Sequence, residues 1–496
     1  MAVIGCQWMR SRYQLAWLAF FGFLNVYMLR VNLSVALVAM VDTQEEDNYT
    51  SLECPVVGND TSSPTSKHGA ETFDWDKPTQ GLILGSFFYG YLITQIPGGW
   101  LAGKYGGKNL FGFGILCTAV LTLITPLTAK SVPTLVITRI LEGLGEGVTF
   151  PAIQGMWAVW APPMERSKLA MISFSGAQMG TVIGLPLSGL ITAQLGWPYV
   201  FYIFGAIAIV WFVVWMLLTS NTPDSLKFID PEEREYINFE IATVSSAEPI
   251  TLKNTPWLEM AKSPVLWATS CAHFCHNWGF YTLLTCLPTY MKDVLQFDIA
   301  KDSLLSSLPY VFMWVMIIVT SVVVDTMRAR SILSTTAARK LVNAIGFLVN
   351  AACLLGIGYV GCNFTLAVVL LCIAGAFDGI SQIGYNVNHL DIAPKYAGTL
   401  MGITNTIATI PGFLGPQVVG WLTTQHSTSE QWRSVFIISA EIYVFGIIIY
   451  SLLGSGEVQK WASVSGGEYE PLSTSDSSFA QDETSVNTAV SDHSTD

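Results

Sequence analysis

The sequence predicts an all-α polytopic membrane protein, with twelve transmembrane helices arranged as two six-helix halves. Three observations predict it. The 496-residue chain is 51% hydrophobic and 12% charged, against roughly a quarter charged in an ordinary soluble domain. Its apolar residues gather in continuous runs of about 20, the length a helix needs to cross a bilayer. They lack the every-second-residue alternation of a barrel. A polar stretch at 220–262 divides the runs six and six.

Taken in order, the runs fall at 13–41, 79–103, 107–129, 133–161, 168–195, 198–219, 264–293, 302–326, 339–361, 363–390, 397–424 and 431–454. Residues 1–12 precede them as a short N-terminus. The first run is too long for a cleavable signal peptide and keeps Arg30 within it, so it reads as a permanent first helix. The two halves are 13–219 and 263–454, joined by the loop 220–262. Residues 42–78 carry nine acids and two lysines, and residues 456–496 carry eight acids and one lysine. Of the net charge of −12, these segments hold −14, which leaves the rest at +2. A basic nucleic-acid surface is absent. The first acidic segment reads as a solvated loop, and 455–496 reads as a disordered tail rich in Ser, Thr and Asp.

Lysine and arginine set the orientation. With twelve spans and a cytosolic N-terminus, 16 of the 24 basic residues fall on the cytosolic side and six on the other, while Arg30 and Arg139 lie in spans. That asymmetry obeys the positive-inside rule. The N-terminus, the 220–262 loop and the tail are then cytosolic, and 42–78 is lumenal. The sequons at Asn48 and Asn59 fall in that lumenal loop, where glycosylation reaches them. A third, at Asn32, lies inside the first span. Of the nine cysteines only Cys54 and Cys362 look non-cytosolic, and free thiols are expected.

A weak internal repeat supports the two-half plan. "WAPPMERSKL" at 160–169 and "DIAPKYAGTL" at 391–400 both sit between the fourth and fifth helix of their half, as expected of parallel halves around a central cavity.

The chemistry lies in charges sunk within the spans. In "RILEGLGEGVTFP", Arg139, Glu142 and Glu146 stand at i, i+3 and i+7 on one face, over roughly 10 Å. Gly143 and Gly147 form a small-xxx-small pair that admits a neighbouring helix. Arg30 lies deep in the first span. Ionisable groups at such depth face a bundle interior or a water-filled path, and a substrate or proton route is the default reading. The alternative is a structural pair of Arg139 with Glu142. Two arginines and two glutamates balance; an added monocarboxylate leaves −1, and one proton restores neutrality. Electroneutral cotransport of a proton with an organic anion follows.

The seventh span places His273, His276, Asn277 and Tyr281 on one face, as candidate polar contacts or as hydrogen-bonded packing residues. A metal site is not expected, because no third ligand is evident. Asp378 and Glu441 are further acids in apolar surroundings, and His389 with Asp391 lies near a cytosolic end, where a gate is expected. Neither a P-loop nor a nucleophile–base set is present, so a primary pump and an enzyme are both disfavoured.

"YMLRVNLSVALV", "LGSFFYGYLITQIPGG", "RILEGLGEGVTFP", "HFCHNWGFYTLLTCLPTY", "NHLDIAP" and "GITNTIATIPG" together resemble the anion/phosphate cotransporter family of the major facilitator superfamily, over about residues 12–462. The resemblance implies a major facilitator fold working by alternating access. It implies proton-coupled export of an organic anion, sialic acid or a related acidic sugar, from the lysosome. It places Arg30, Arg139, Tyr27, Tyr89, Tyr281 and Asn405 at substrate and Glu142 and Glu146 in proton coupling; the seventh-span face adds His276 and Asn277 as candidate substrate contacts and His273 as a candidate in proton coupling. No cofactor is implied; the coupling ion is a proton, with sodium as the alternative. A monomer is expected. The family alternatives are sodium-dependent phosphate uptake at the plasma membrane and vesicular transport of aspartate or glutamate. The family's vesicular glutamate carriers have a histidine at Leu84 and an arginine at His276, and the superfamily's loop motif has an acid at Gly103; all three are departures here. Asp378 and Glu441 are acids the resemblance does not lead one to expect. In the tail, Tyr469-Glu470-Pro471-Leu472 matches a tyrosine-x-x-apolar signal read by adaptor complexes, with a plain disordered tail as the alternative.

Overall fold

The computed structural model describes residues 10–41, 72–242, 253–293, 299–422 and 429–462. Met1–Ser463 forms one compact unit. Asn48, Asn59, Cys54, Tyr469 and Leu472 lie outside the described residues.

Seventeen α-helices follow along the described chain. The N-terminal half holds α1 (Ser11–Met40), α2 (Lys77–Tyr105), α3 (Gly107–Thr128), α4 (Val132–Glu146), α5 (Thr149–Trp160), α6 (Arg166–Phe174), α7 (Gly176–Leu195) and α8 (Trp197–Leu218). The connecting segment holds α9 (Pro231–Ala242) and α10 (Trp257–Lys262). The C-terminal half holds α11 (Pro264–Asp293), α12 (Ile299–Ala329), α13 (Thr335–Tyr359), α14 (Phe364–Tyr385), α15 (Asn388–Ile392), α16 (Ala397–Leu422) and α17 (Ser429–Leu453). Because α4/α5, α6/α7 and α14/α15 are each one broken span, the chain makes twelve crossings and is a multi-pass membrane protein. Glycines at two of the breaks admit a neighbour closely. At Gly147, between α4 and α5, a Cβ would sit 2.3 Å from Thr94 Oγ1; at Gly176, where α7 starts, it would sit 2.0 Å from the Phe20 carbonyl oxygen.

Two short turns depend on left-handed glycine. Gly106 (φ 87°) joins α2 to α3, and Gly196 (φ 100°) joins α7 to α8; L side chains rarely adopt this region. A parallel bridge between Val41 and Phe73 brings together the residues that flank the acidic segment. Cys362, in the turn between α13 and α14, is disulfide-bonded. This corrects the expectation of a free thiol; such bonds persist in oxidising compartments, and the partner's side chain is not among those described.

The connecting segment is more ordered than a polar loop. Asp230 caps α9, accepting from the Glu232 N–H at 3.1 Å, and Pro231 with Glu232 and Glu233 fills its first turn. Arg12, buried at the start of α1, bonds Glu233 of α9 at 2.8 Å and Glu165 at 2.9 Å.

Two seams join the halves at one end of the bundle. Between α2 and α16 the backbones touch: a Cβ at Gly99 would lie 2.1 Å from the Gly398 carbonyl oxygen, and one at Gly402 would lie 2.4 Å from that of Gln95. The other seam is polar. The Lys168 N–H donates to Asp325 Oδ2 at 2.7 Å, Arg339 donates to Ser167 Oγ at 2.9 Å, and Arg166 donates to the Leu390 carbonyl at 2.8 Å. Asp391 anchors this cluster, 2.8 Å from Arg339 and 3.8 Å from Arg328. His389 bonds Thr404 at 2.8 Å, which places both predicted gate residues at this end.

Candidate functional site

A cavity opens between the halves above these seams, lined by Tyr27, Tyr91 and Gln178 on one side and by His276, Tyr385 and Asn405 on the other. It forms because α1, α2 and α11 each turn polar or aromatic residues inward at helical spacing. On α2 the inward face runs Phe87, Tyr91 and Gln95, one turn apart and all buried. Tyr91 lies here, whereas Tyr89, placed at substrate by the sequence reading, is 49% exposed on the opposite stripe. That is a correction: a step of two residues along a helix turns the side chain through roughly 200°. The polar Gln95, four residues beyond Tyr91, was the available signal.

The four buried charges resolve into two pairs. Arg30 donates from Nε to Glu146 Oε1 at 2.8 Å, and its Nη2 bonds the same oxygen. Its third donor, Nη1, reaches the Tyr281 hydroxyl of the other half at 3.3 Å. The guanidinium also lies 4.7 Å from the ring centre of Tyr27, 4.8 Å from Tyr91 and 5.1 Å from Phe87. These cation–π contacts offset part of the cost of burying it. Arg139 instead bonds Glu142 on its own helix. Glu142 turns to α3, its Oε1 accepting from Thr125 at 3.2 Å and from Thr122 at 3.4 Å.

The two glutamates therefore differ. Both oxygens of Glu142 are bonded, through Arg139 and the threonines. Glu146 is fully buried, yet its Oε2 has no hydrogen-bond partner. A buried carboxylate oxygen left open is costly unless a proton or ligand visits it.

On α11 the four predicted residues do share the cavity. His273 Nδ1 meets Thr404 Oγ1 at 3.2 Å, Asn277 donates to the Ala408 carbonyl at 2.7 Å, and Tyr281 holds Arg30. Asn405 of α16 spans the halves, donating to Tyr91 at 3.1 Å and to Gln95 at 3.0 Å. Asp378, missed as a site residue, is buried on α14 with its Oδ1 3.0 Å from His276 Nδ1. Glu441 faces outward from α17. Sequence spacing marked both acids but could not show which one had a partner.

Residues 15–416 match the Major Facilitator Superfamily. The chain is 52% identical to sialin of Homo sapiens over 458 residues, covering 91% of each. It is 41% identical to vesicular glutamate transporter 3 of Danio rerio over 474 residues, covering 95% of this chain and 76% of that one. Among solved structures it resembles the E. coli fucose:proton symporter FucP, with a TM-score of 0.61 at 14% identity, over 90% of this chain and 100% of that chain.

Proposed function

The chain belongs to the Major Facilitator Superfamily, and from that premise we propose that it is a secondary active symporter exporting an organic anion with a proton from the lysosome. The substrate is sialic acid or a related acidic sugar, in keeping with its likeness to sialin. One observation carries the coupling: Glu146, closed in with Arg30 behind the cavity's aromatic lining, keeps one oxygen open. An incoming carboxylate competes for Arg30. As Glu146 yields that arginine it takes a proton, because a lone carboxylate is disfavoured there. Anion and proton then load together and the site remains neutral. Tyr281 ties Arg30 to the opposite half, so loading is felt across the cavity. Arg139 with Glu142 braces α4 against α3. His273 stands ready as a proton relay, and Tyr27, Asn277 and Asn405 contact the substrate.

Uptake of labelled sialate, glucuronate, glutamate, aspartate and phosphate into proteoliposomes tests this, with proton and sodium gradients imposed separately. Sialate uptake that follows the pH gradient and survives replacement of sodium by choline is expected. Glutamate or aspartate preference would favour the vesicular alternative, to which the second relative points. Uptake that ignores the pH gradient would remove the proposal. Glycans at Asn48 and Asn59, and adaptor recognition of Tyr469 and Leu472, belong to the same reading; Tyr469→Ala should move a tagged protein to the cell surface.

A further inference from the structure

The pair formed by His276 and Asp378 has no part in the coupling just described, and it is the other buried acid–base contact on the cavity. Both residues are 4% exposed. Besides His276, Asp378 Oδ1 accepts from Asn350 and from the Tyr443 hydroxyl, each at 3.4 Å. Its Oδ2 has no hydrogen-bond partner, and the Nδ1–Oδ1 contact is a close approach rather than an aligned hydrogen bond. The imidazole lies between aromatic rings, 6.0 Å from Phe280 and 5.4 Å from Tyr385, and lines the cavity. With Nδ1 beside Asp378, Nε2 is the nitrogen left for a ligand of the cavity that this side chain lines.

We propose that Asp378 is a positioning residue that holds His276 as a protonated receptor for the substrate's carboxylate, so that the C-terminal half takes up anion and proton as one unit. This rests on the symport reading above. Until Glu146 yields it, Arg30 is neutralised, as Arg139 is by Glu142, so neither offers free charge when the anion arrives. A neutral imidazole beside an ionised Asp378 would set a net −1 facing the incoming anion. Protonation makes the pair neutral and leaves an N–H⁺ donor toward the cavity. Substrate and proton therefore favour each other's binding, as reciprocal linkage requires. The titratable groups facing the pair are His273 and Tyr281 of α11, Tyr310 of α12, Tyr385 of α14 and Tyr443 of α17. The nearby α13 and α16 residues, Asn350, Thr404 and Asn405, do not ionise. Among these neighbours Asp378 is the acid that supports an imidazolium.

The test is the pH dependence of the sialate KM in proteoliposomes of the full chain. Asp378→Asn should flatten the fall of KM with acidity by up to tenfold per pH unit, the slope of one linked proton, with the loss falling on KM more than on kcat. Asp378→Glu should restore the slope. His276→Gln should match Asp378→Asn, and the double variant should be no worse than either. A wild-type slope in Asp378→Asn, or a loss confined to kcat, overturns the inference. If that variant does not fold, a wild-type slope in His276→Gln does so. Calorimetric titration with sialate or glutamate makes the same comparison without transport, so failure of coupled uptake in the wild-type protein would count against the symport reading alone.

Discussion

The two seams hold the same halves together by opposite means. Between α2 and α16 the contact carries no charge: backbones meet at Gly99, Gly398 and Gly402, and Asn405 bonds Tyr91 and Gln95. Between α6 and the group α12, α13 and α15, it is made by Arg166, Ser167, Lys168, Asp325, Arg339 and Asp391. The uncharged seam gains dispersion over small areas and two neutral hydrogen bonds, and parting it exposes no unpaired charge. Parting the polar seam lets water replace protein partners, which lowers the net cost. A carrier that must open here repeatedly thus has two weak closures. One is intolerant of added volume, the other of an unmatched charge.

The strongest way to break the contrast is Arg339→Ala. It leaves Asp391 buried with only the more distant Arg328, and removing one member of a buried pair costs about 3–5 kcal/mol. A large fall in the thermal midpoint of the detergent-solubilised protein is expected, with transport lost. Next comes Gly99→Val, where the added carbons meet backbone rather than a yielding side chain; overpacking costs about 1–3 kcal/mol. Transport should fall about tenfold or more while the folded yield stays close to wild type, read by uptake and by size-exclusion profile. Asp325→Asn should be milder than Arg339→Ala, because the amide oxygen still accepts from the Lys168 N–H and Arg328 keeps Asp391. The site is buried, so added salt should change its effect as little as that of Gly99→Val. Gln95→Leu, which removes one of two acceptors for Asn405, should change uptake least.

Much of this was legible in the sequence. Every span lies within a few residues of its expected position, because continuous apolar runs have no stable alternative in lipid. The missing acid at Gly103 is also informative: in the second half the corresponding turn, "VVVDTMRAR", has Asp325, so only one seam is ionic. Elements set by distant contacts were not legible. The glycines at two of the breaks, Gly147 and Gly176, meet α2 and α1 across sequence distances that no local pattern reports. The spacing of Arg139, Glu142 and Glu146 put all three on one face, but α1 and α3 decided which partner each acid took. His276 and Asp378 were each singled out, yet nothing local joins residues on two helices. Helix α9 was missed although Asp230-Pro231-Glu232-Glu233 is a helix-start signal.

That overlooked helix has a practical use. Bolted by Arg12 and Glu233 to the first crossing, α9 is a pointer that turns with the N-terminal bundle. A spin label at Phe239, which is 69% exposed, read against one at Ile332, which is 60% exposed in the α12–α13 turn, would follow the rocking of one bundle against the other with no probe placed in the membrane.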